Sequence, residues 1–316
     1  MALTNTHKSD LLLVCVTLLA AISWMFSKEA VLLMPPVMFM AFRFLIAGAT
    51  LAIVAIPSLQ RLSSEQLRRS FMVGLVFGIA MSFWIKGLYY GEHLGEGAFL
   101  TSLGVVLVPI VDRLVFRQPQ PWSTWAAIPI AVGGLACLSL ENGFRTEIGQ
   151  IYYVLAASIF ALFFLMNTRA ANSRCVTLPD GSTKALGPVP ALPLSAITLL
   201  TVGLVALAES ALTEPWHDTL PNLSWTLSGW VLASAIIGTA GRFFLQTYAQ
   251  SLSNHSHGVV IMVLEPVWVA IFAANWFGET MSPTQMIGCG LIFAALLVNR
   301  WNTLMRVARK WITKRA

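Results

Sequence analysis

Charge is scarce in this chain, and the scarcity decides its solvent. Only 11% of the residues are Asp, Glu, Lys or Arg, against 57% hydrophobic, a balance that excludes an ordinary water-soluble surface. Cysteine is equally uninformative as a framework. Cys15, Cys137 and Cys289 fall inside apolar stretches and Cys175 in a loop, so neither disulfide nor zinc spacing is present. There is no phosphate-binding G-x-x-x-x-G-K-[ST], no G-x-S-x-G and no H-E-x-x-H, which removes the usual support for ATP-driven or hydrolytic chemistry. His255-Ser256-His257 has no carboxylate or thiol close by in sequence and makes a poor metal site. No cofactor, metal or enzymatic activity is expected. The formal net charge of +6 is dispersed over short loops and the C-terminal tail, so nucleic acid is not an expected partner either.

What the chain does have is long apolar runs. Ten of them follow one another, at about 11–33, 37–57, 70–91, 97–116, 122–140, 148–169, 191–212, 226–249, 256–277 and 283–301. Each approaches the roughly 20 residues that a helix needs to cross a bilayer. In lipid a backbone must satisfy its own polar groups, so these runs predict helices and an all-α membrane protein with ten transmembrane spans. Proline marks several edges: Pro35-Pro36, Pro119 with Pro121, and Ser282-Pro283. The first run could imitate a signal peptide, but Lys28 and Glu29 stand where a cleavage region would be, so it is read as a retained span. Ten spans leave about 100 residues for loops and tails, too few for a separate soluble domain. In the longest loop, Asp180-Gly181 between short extended runs can turn a hairpin, and a disordered connector is the alternative.

Orientation follows from the cations. With the N-terminus in the cytoplasm, that side receives fifteen of the twenty Lys and Arg, among them Arg61, Arg68, Arg69, Arg113, Arg117 and Arg169. The other side collects Glu92, Glu96, Glu141, Glu147, Glu209, Glu214, Asp218 and Glu279. Both termini are therefore expected in the cytoplasm, in a cell (inner) membrane. The basic tail from 302 to 316 is expected to lie against anionic headgroups.

Residues 97–140 align without a gap on 258–301. The frame superposes Gly97 on Gly258, Val106 on Val267 and Phe116 on Phe277, and the polar turn Arg117-Gln118 on Gly278-Glu279. The chain then divides into a five-helix repeat at 1–145, a second at 146–301 and the tail. Because five is odd, the second repeat starts on the opposite membrane face, which predicts two inverted five-helix repeats with a site near the midplane between them.

Ionisable residues inside a span need a partner or a water-filled cavity. Counting from the turn near Ser253 sets Arg242 and Glu265 at similar depth in adjacent spans, where a charge pair would hold both. Such a pair is either a structural ion pair or a cavity wall, available to a zwitterion or a proton. Glu265, Trp268, Phe272 and Asn275 share one helical face, as do Thr239, Arg242 and Gln246 on the preceding span. A packed aromatic stripe is the alternative for the first of these. Thr17, Ala21, Trp24 and Lys28 share a face of the first span. Lys28 and Arg43 sit within about 10 Å of the outer surface by helical rise, near enough to snorkel.

The string Leu264-Glu265-Pro266-Val267-Trp268, then Gly278-Glu279 and Ser282-Pro283, with Trp24, Lys28, Arg43-Phe44 and Val108-Pro109 in the first half, resembles the EamA-type branch of the drug/metabolite transporter superfamily. The resemblance covers nearly the whole chain. It implies a cavity lined by spans one, three, four, six, eight and nine, with spans five and ten at the periphery. The candidate substrate-binding residues are Trp24, Arg242, Gln246, Glu265, Trp268 and Asn275, with Glu265 also the candidate for proton coupling. The expected function is a secondary transporter moving a small organic metabolite, foremost an amino acid and outward. Multidrug or lipophilic-cation efflux on the same fold is the alternative, and an intramembrane enzyme or a channel are more distant ones. The expected partners are that small molecule and the lipid bilayer.

Overall fold

The computed structural model describes residues 5–117, 119, 122–140, 147–177, 183–222, 224–252, 261, 264–299, 301 and 305. The first seven long helices are α1 (Asn5–Val31), α2 (Pro36–Leu59), α3 (Ser64–Tyr90), α4 (Leu94–Phe116), α5 (Trp122–Leu140), α6 (Ile148–Ala171) and α7 (Ala191–Thr213). A short α8 (Trp216–Thr219) follows, and then a broken span: α9 (Trp225–Ala235), a π-helical turn (Ile236–Gly241) and α10 (Arg242–Leu252). The series ends with α11 (Glu265–Phe277) and α12 (Pro283–Asn299).

Among the described residues seven helices are long and apolar enough to cross a membrane, counting Trp225–Gln246 as one through its π turn. The fifth and tenth expected spans are shorter apolar helices, Trp125–Cys137 and Pro283–Asn299. The ninth is described as helix from Glu265, and most of its expected range before that lies outside the described residues. Among the described residues the structure is helical apart from the connecting turns and one two-stranded hairpin. In it β1 (Arg174–Thr177) pairs antiparallel with β2 (Thr183–Leu186), Thr177 opposite Thr183. The hairpin alternative holds over the disordered connector, with Asp180-Gly181 itself outside the described residues. So do His255-Ser256-His257 and, apart from Met305, the basic tail.

Local chemistry sets the helix ends. Pro36 occupies the first turn of α2, where its missing N–H costs nothing. Ser63 and Gln66 close a capping box on α3. Two acids from the second half of the chain cap helices of the first half. The Glu214 carboxylate accepts from the backbone N–H of Val37 and Met38 at 2.9 and 2.6 Å, and Glu279 accepts from that of Leu94 at 3.0 Å. Both satisfy orphan donors and complement the helix dipole. Helices α4 and α11 end alike: Arg117 and Gly278 are left-handed at φ 55° and 67°, and each donates its N–H five residues back, to Asp112 and Ala273. These are the two residues that the gapless frame superposes.

One end of the bundle gathers the C-terminal ends of α1, α3, α7 and α11 with the N-terminal ends of α2, α4, α6 and α12. Lys28 Nζ donates to the carbonyls of Leu88 and Gly91, and Glu96 receives the side chains of Gln150 and Gln285. Helix α6 therefore starts where α1 ends. Glu96 is only 5% exposed, drawn inside by those two amides. Lys86 pairs with Glu209 at 2.6 Å.

The major packings are α2 on α7, α5 on α12, α3 on α6 and α7, α4 on α6 and α11, and α1 on α9, α10 and α11. Glycine permits the closest of them. Gly48 faces Leu200, three residues before Gly203, while Gly203 faces Leu45, three residues before Gly48. Gly74, Gly78 and Gly134 also meet neighbouring helices, whereas Gly133 and Gly290 have nothing within 4 Å. Helices α5 and α12 pack chiefly on each other and on α4, which leaves the centre to the remaining spans.

Candidate functional site

That centre holds a cavity of about 120 Å³, room for several waters or one small metabolite. Its wall is drawn from α1, α2, α3, α4, α6, α10 and α11. Trp24 and Arg43 lie seven residues from the acidic ends of their helices and Glu265 twelve, so the cavity sits about 10–18 Å below that end, near the middle of a bilayer-spanning bundle.

Among the described residues three charged side chains border it: Arg43, Arg242 and Glu265. Arg242 Nη2 donates to Glu265 Oε2 at 3.1 Å, and Trp24 Nε1 donates to Glu265 Oε1 at 3.3 Å. The two partners at matched depth do face each other. Glu265 is the first residue of α11, and Arg242 the first after the π turn. The π-helical turn is a feature frequent at functional sites, and within it the Thr239 Oγ1 hydroxyl donates to the Ser234 carbonyl. Gly238 lets the turn lie against α1; a Cβ there would stand 2.6 Å from Ser23 Oγ.

Arg43 corrects the sequence reading. It does not snorkel: it is 2% exposed, and three hydroxyls inside the bundle take its hydrogens. Nε donates to Thr239 Oγ1 at 2.6 Å, Nη1 to Ser27 Oγ at 2.7 Å and Nη2 to Ser23 Oγ at 2.6 Å. Its guanidinium also lies over the rings of Phe44, Phe39 and Trp84 at 5.4–5.9 Å. Ser23 and Ser27, four apart in an apolar helix, were the signal in the sequence.

Of the six candidate residues, Trp24, Arg242, Gln246 and Glu265 line the cavity. Trp268 and Asn275 do not. Ten residues of helix carry Asn275 about 15 Å beyond Glu265, past the cavity, where it is exposed and bonds the Ile271 carbonyl of its own helix. Trp268 packs against the core instead. Thr101 and Ser102 of α4 and a cluster of rings complete the wall. In that cluster Phe77 stacks on Phe163 at 4.0 Å and meets Phe243 at 5.3 Å. Towards the acidic end Trp24 packs edge-on against Trp84 at 4.8 Å and beside Tyr153 at 5.9 Å. The cavity is thus polar in the middle and aromatic above and below.

Two polar atoms on the wall, Arg242 Nε and Gln246 Oε1, are buried with no hydrogen-bond partner among the described residues. Such atoms are costly unless water or a ligand meets them.

The EamA-like transporter family model matches residues 7–140 and again 181–301. The chain belongs to that family. It is therefore a multi-pass membrane protein of a transporter family. It is similar to the threonine/homoserine exporter RhtA of Escherichia coli, 25% identical over 66% of this chain and 68% of the exporter. It is also similar to a probable terminal-alkyne amino-acid exporter of Streptantibioticus cattleyicolor, 24% identical over 82% of each chain. A solved crystal structure shares the fold, with a TM-score of 0.62, 18% identity and 92% of this chain covered.

Proposed function

We propose that this EamA-like protein is a secondary transporter that exports an amino acid, or a closely related amphipathic metabolite, by alternating access between two inverted five-helix halves. The observation that carries the reading is the Arg242–Glu265 pair on the wall of a central cavity, with polar atoms beside it that have no partner among the described residues. A zwitterion's ammonium and carboxylate complement such a pair, and the rings above and below accept its apolar remainder.

Several observations support halves at 1–145 and 146–301 related by a two-fold axis in the membrane plane. The family model matches twice. Adding five to a span's number, and counting on from one after ten, carries α3 on α6 into the eighth span on α1, and α4 on α6 into α11 on α1. It returns α2 on α7, α4 on α11 and α5 on α12 to themselves. The reciprocal Gly48 and Gly203 contacts are those of an isologous interface. Helix α6 starts at the end where α1 finishes, which is the sense of an inversion. Two such halves can rock about a fixed site. The charge asymmetry supports an inner-membrane location with both termini in the cytoplasm.

The amino-acid reading draws on the two named exporters and on the ion pair; that both relatives export supports the outward direction. Lipophilic-cation efflux is disfavoured, because the lining carries two guanidiniums against one carboxylate. The test is a metabolite profile of cells overexpressing the protein, medium against cytoplasm. One or more amino acids should accumulate in the medium above control; unchanged amino acids alongside protection against lipophilic cations would reverse the assignment. Proton coupling would run through Glu265. Glu265→Gln should flatten the pH dependence of transport, and a mutant that keeps the wild-type pH profile removes Glu265 from coupling.

A further inference from the structure

The geometry points to Arg43 as a preformed carboxylate-binding cation, a subsite separate from the Arg242–Glu265 pair that requires the transported molecule to carry its own anion. The inference deepens the proposed function and rests on it for the route of the substrate, not for the chemistry of the subsite.

A guanidinium has five N–H donors. Among the described residues Arg43 spends three of them on Ser23, Ser27 and Thr239. All three acceptors are neutral, so they orient the fork without cancelling its charge. Two of the hydroxyls have their own hydrogens committed elsewhere, Ser27 to the Ser23 carbonyl at 2.6 Å and Thr239 to the Ser234 carbonyl at 2.8 Å. They can only accept from Arg43, and they hold it in one pose. The remaining N–H bonds belong to a side chain that borders the cavity. Burying a charge this deeply without a counter-ion is costly. A cation already desolvated and clamped is correspondingly ready for an anion entering the cavity, since little order remains to be lost on binding.

The charge inventory selects the ligand class. Arg242 is matched by Glu265, which leaves one positive charge among the described lining residues, on Arg43. A single carboxylate neutralises it; a lipophilic cation would add to it. Arginine's planar fork also suits the two oxygens of a carboxylate. Gln246 Oε1, buried and unpartnered among the described residues, offers an acceptor to a hydroxyl or ammonium of the same molecule.

Binding to purified protein in detergent, read by tryptophan fluorescence, tests this with L-threonine, L-threoninamide and 2-oxobutyrate, at a pH where both amines are protonated. Wild type should bind threonine at least about tenfold more tightly than threoninamide, the weight of a charge-assisted hydrogen bond. Arg43→Gln should bring threonine down to the threoninamide level and leave threoninamide unchanged. Should R43Q fail to fold, the S23A/S27A double variant, which loosens the clamp, should weaken threonine alone. Equal wild-type affinity for threonine and threoninamide, or a variant that weakens both alike, overturns the inference while leaving amino-acid transport standing. Arg43-dependent binding of 2-oxobutyrate without any binding of threonine keeps the subsite and sinks the amino-acid reading. No binding of either carboxylate overturns the subsite.

Discussion

Removing the charge of Glu265 should cost the protein stability only while Arg242 is present. The pair stands at 3.1 Å with 17% and 19% of the two side chains exposed, so it faces the cavity rather than sealed core. At a charge separation near 4 Å and an effective dielectric constant near 20, the gross attraction is about 4 kcal/mol. Water in the cavity screens part of it, which leaves an expected coupling of about 1–3 kcal/mol. Glutamine is the right replacement because its amide oxygen can still accept from Trp24 Nε1, so the charge alone is deleted. The assay is a double-mutant cycle of E265Q, R242Q and the double variant, comparing unfolding free energies in one detergent. Single variants should each lose more than the double variant's loss would apportion to them, with a coupling above about 1 kcal/mol. Additivity within about 0.5 kcal/mol would mean that the two charges do not interact, since independent sites behave that way.

Other outcomes follow from the same contacts. Gln246→Ala should reduce transport of the identified substrate severalfold, whereas Asn275→Ala should leave it unchanged, because only the first lines the cavity; flux in proteoliposomes compares them. Gly278→Val should lower unfolding stability by about 1–2 kcal/mol, because a branched side chain is strained at φ +67°, and a thermal melt reads it. Gly203→Leu should disrupt the α2–α7 contact, with an overpacking cost of about 1–3 kcal/mol by the same melt. A cysteine at Asp218 should react with a membrane-impermeant maleimide on intact cells, and one at Lys8 should not.

Much of the fold was legible because the membrane narrows the choices. The boundaries at Pro36, Leu94, Trp122 and Ala191 fall within a few residues of the apolar runs, since lipid leaves helix as the only outcome for such a run. The π turn at Ile236–Gly241 was not legible: it adds one residue to a helical turn without breaking the helical run, and no proline marks it. At the site, the Arg242–Glu265 pair could be read because depth is a count along two adjacent spans. Arg43 was misread for the converse reason. Its partners Ser23, Ser27 and Thr239 come from two other helices, and sequence depth says nothing of the direction in which a long side chain turns. Asn275 was misplaced because a shared helical face was extended over ten residues while the cavity it was meant to line is shorter.

The most direct test of the central claim is counterflow with purified protein in liposomes loaded with unlabelled threonine or homoserine and exposed to traces of the labelled compound. Alternating access around the Arg242–Glu265 cavity predicts transient accumulation of label above its equilibrium level, absent from empty vesicles and strongly reduced in R242Q. Label that merely equilibrates without overshoot for every amino acid tried, or that enters only as a chemically altered product, would contradict it.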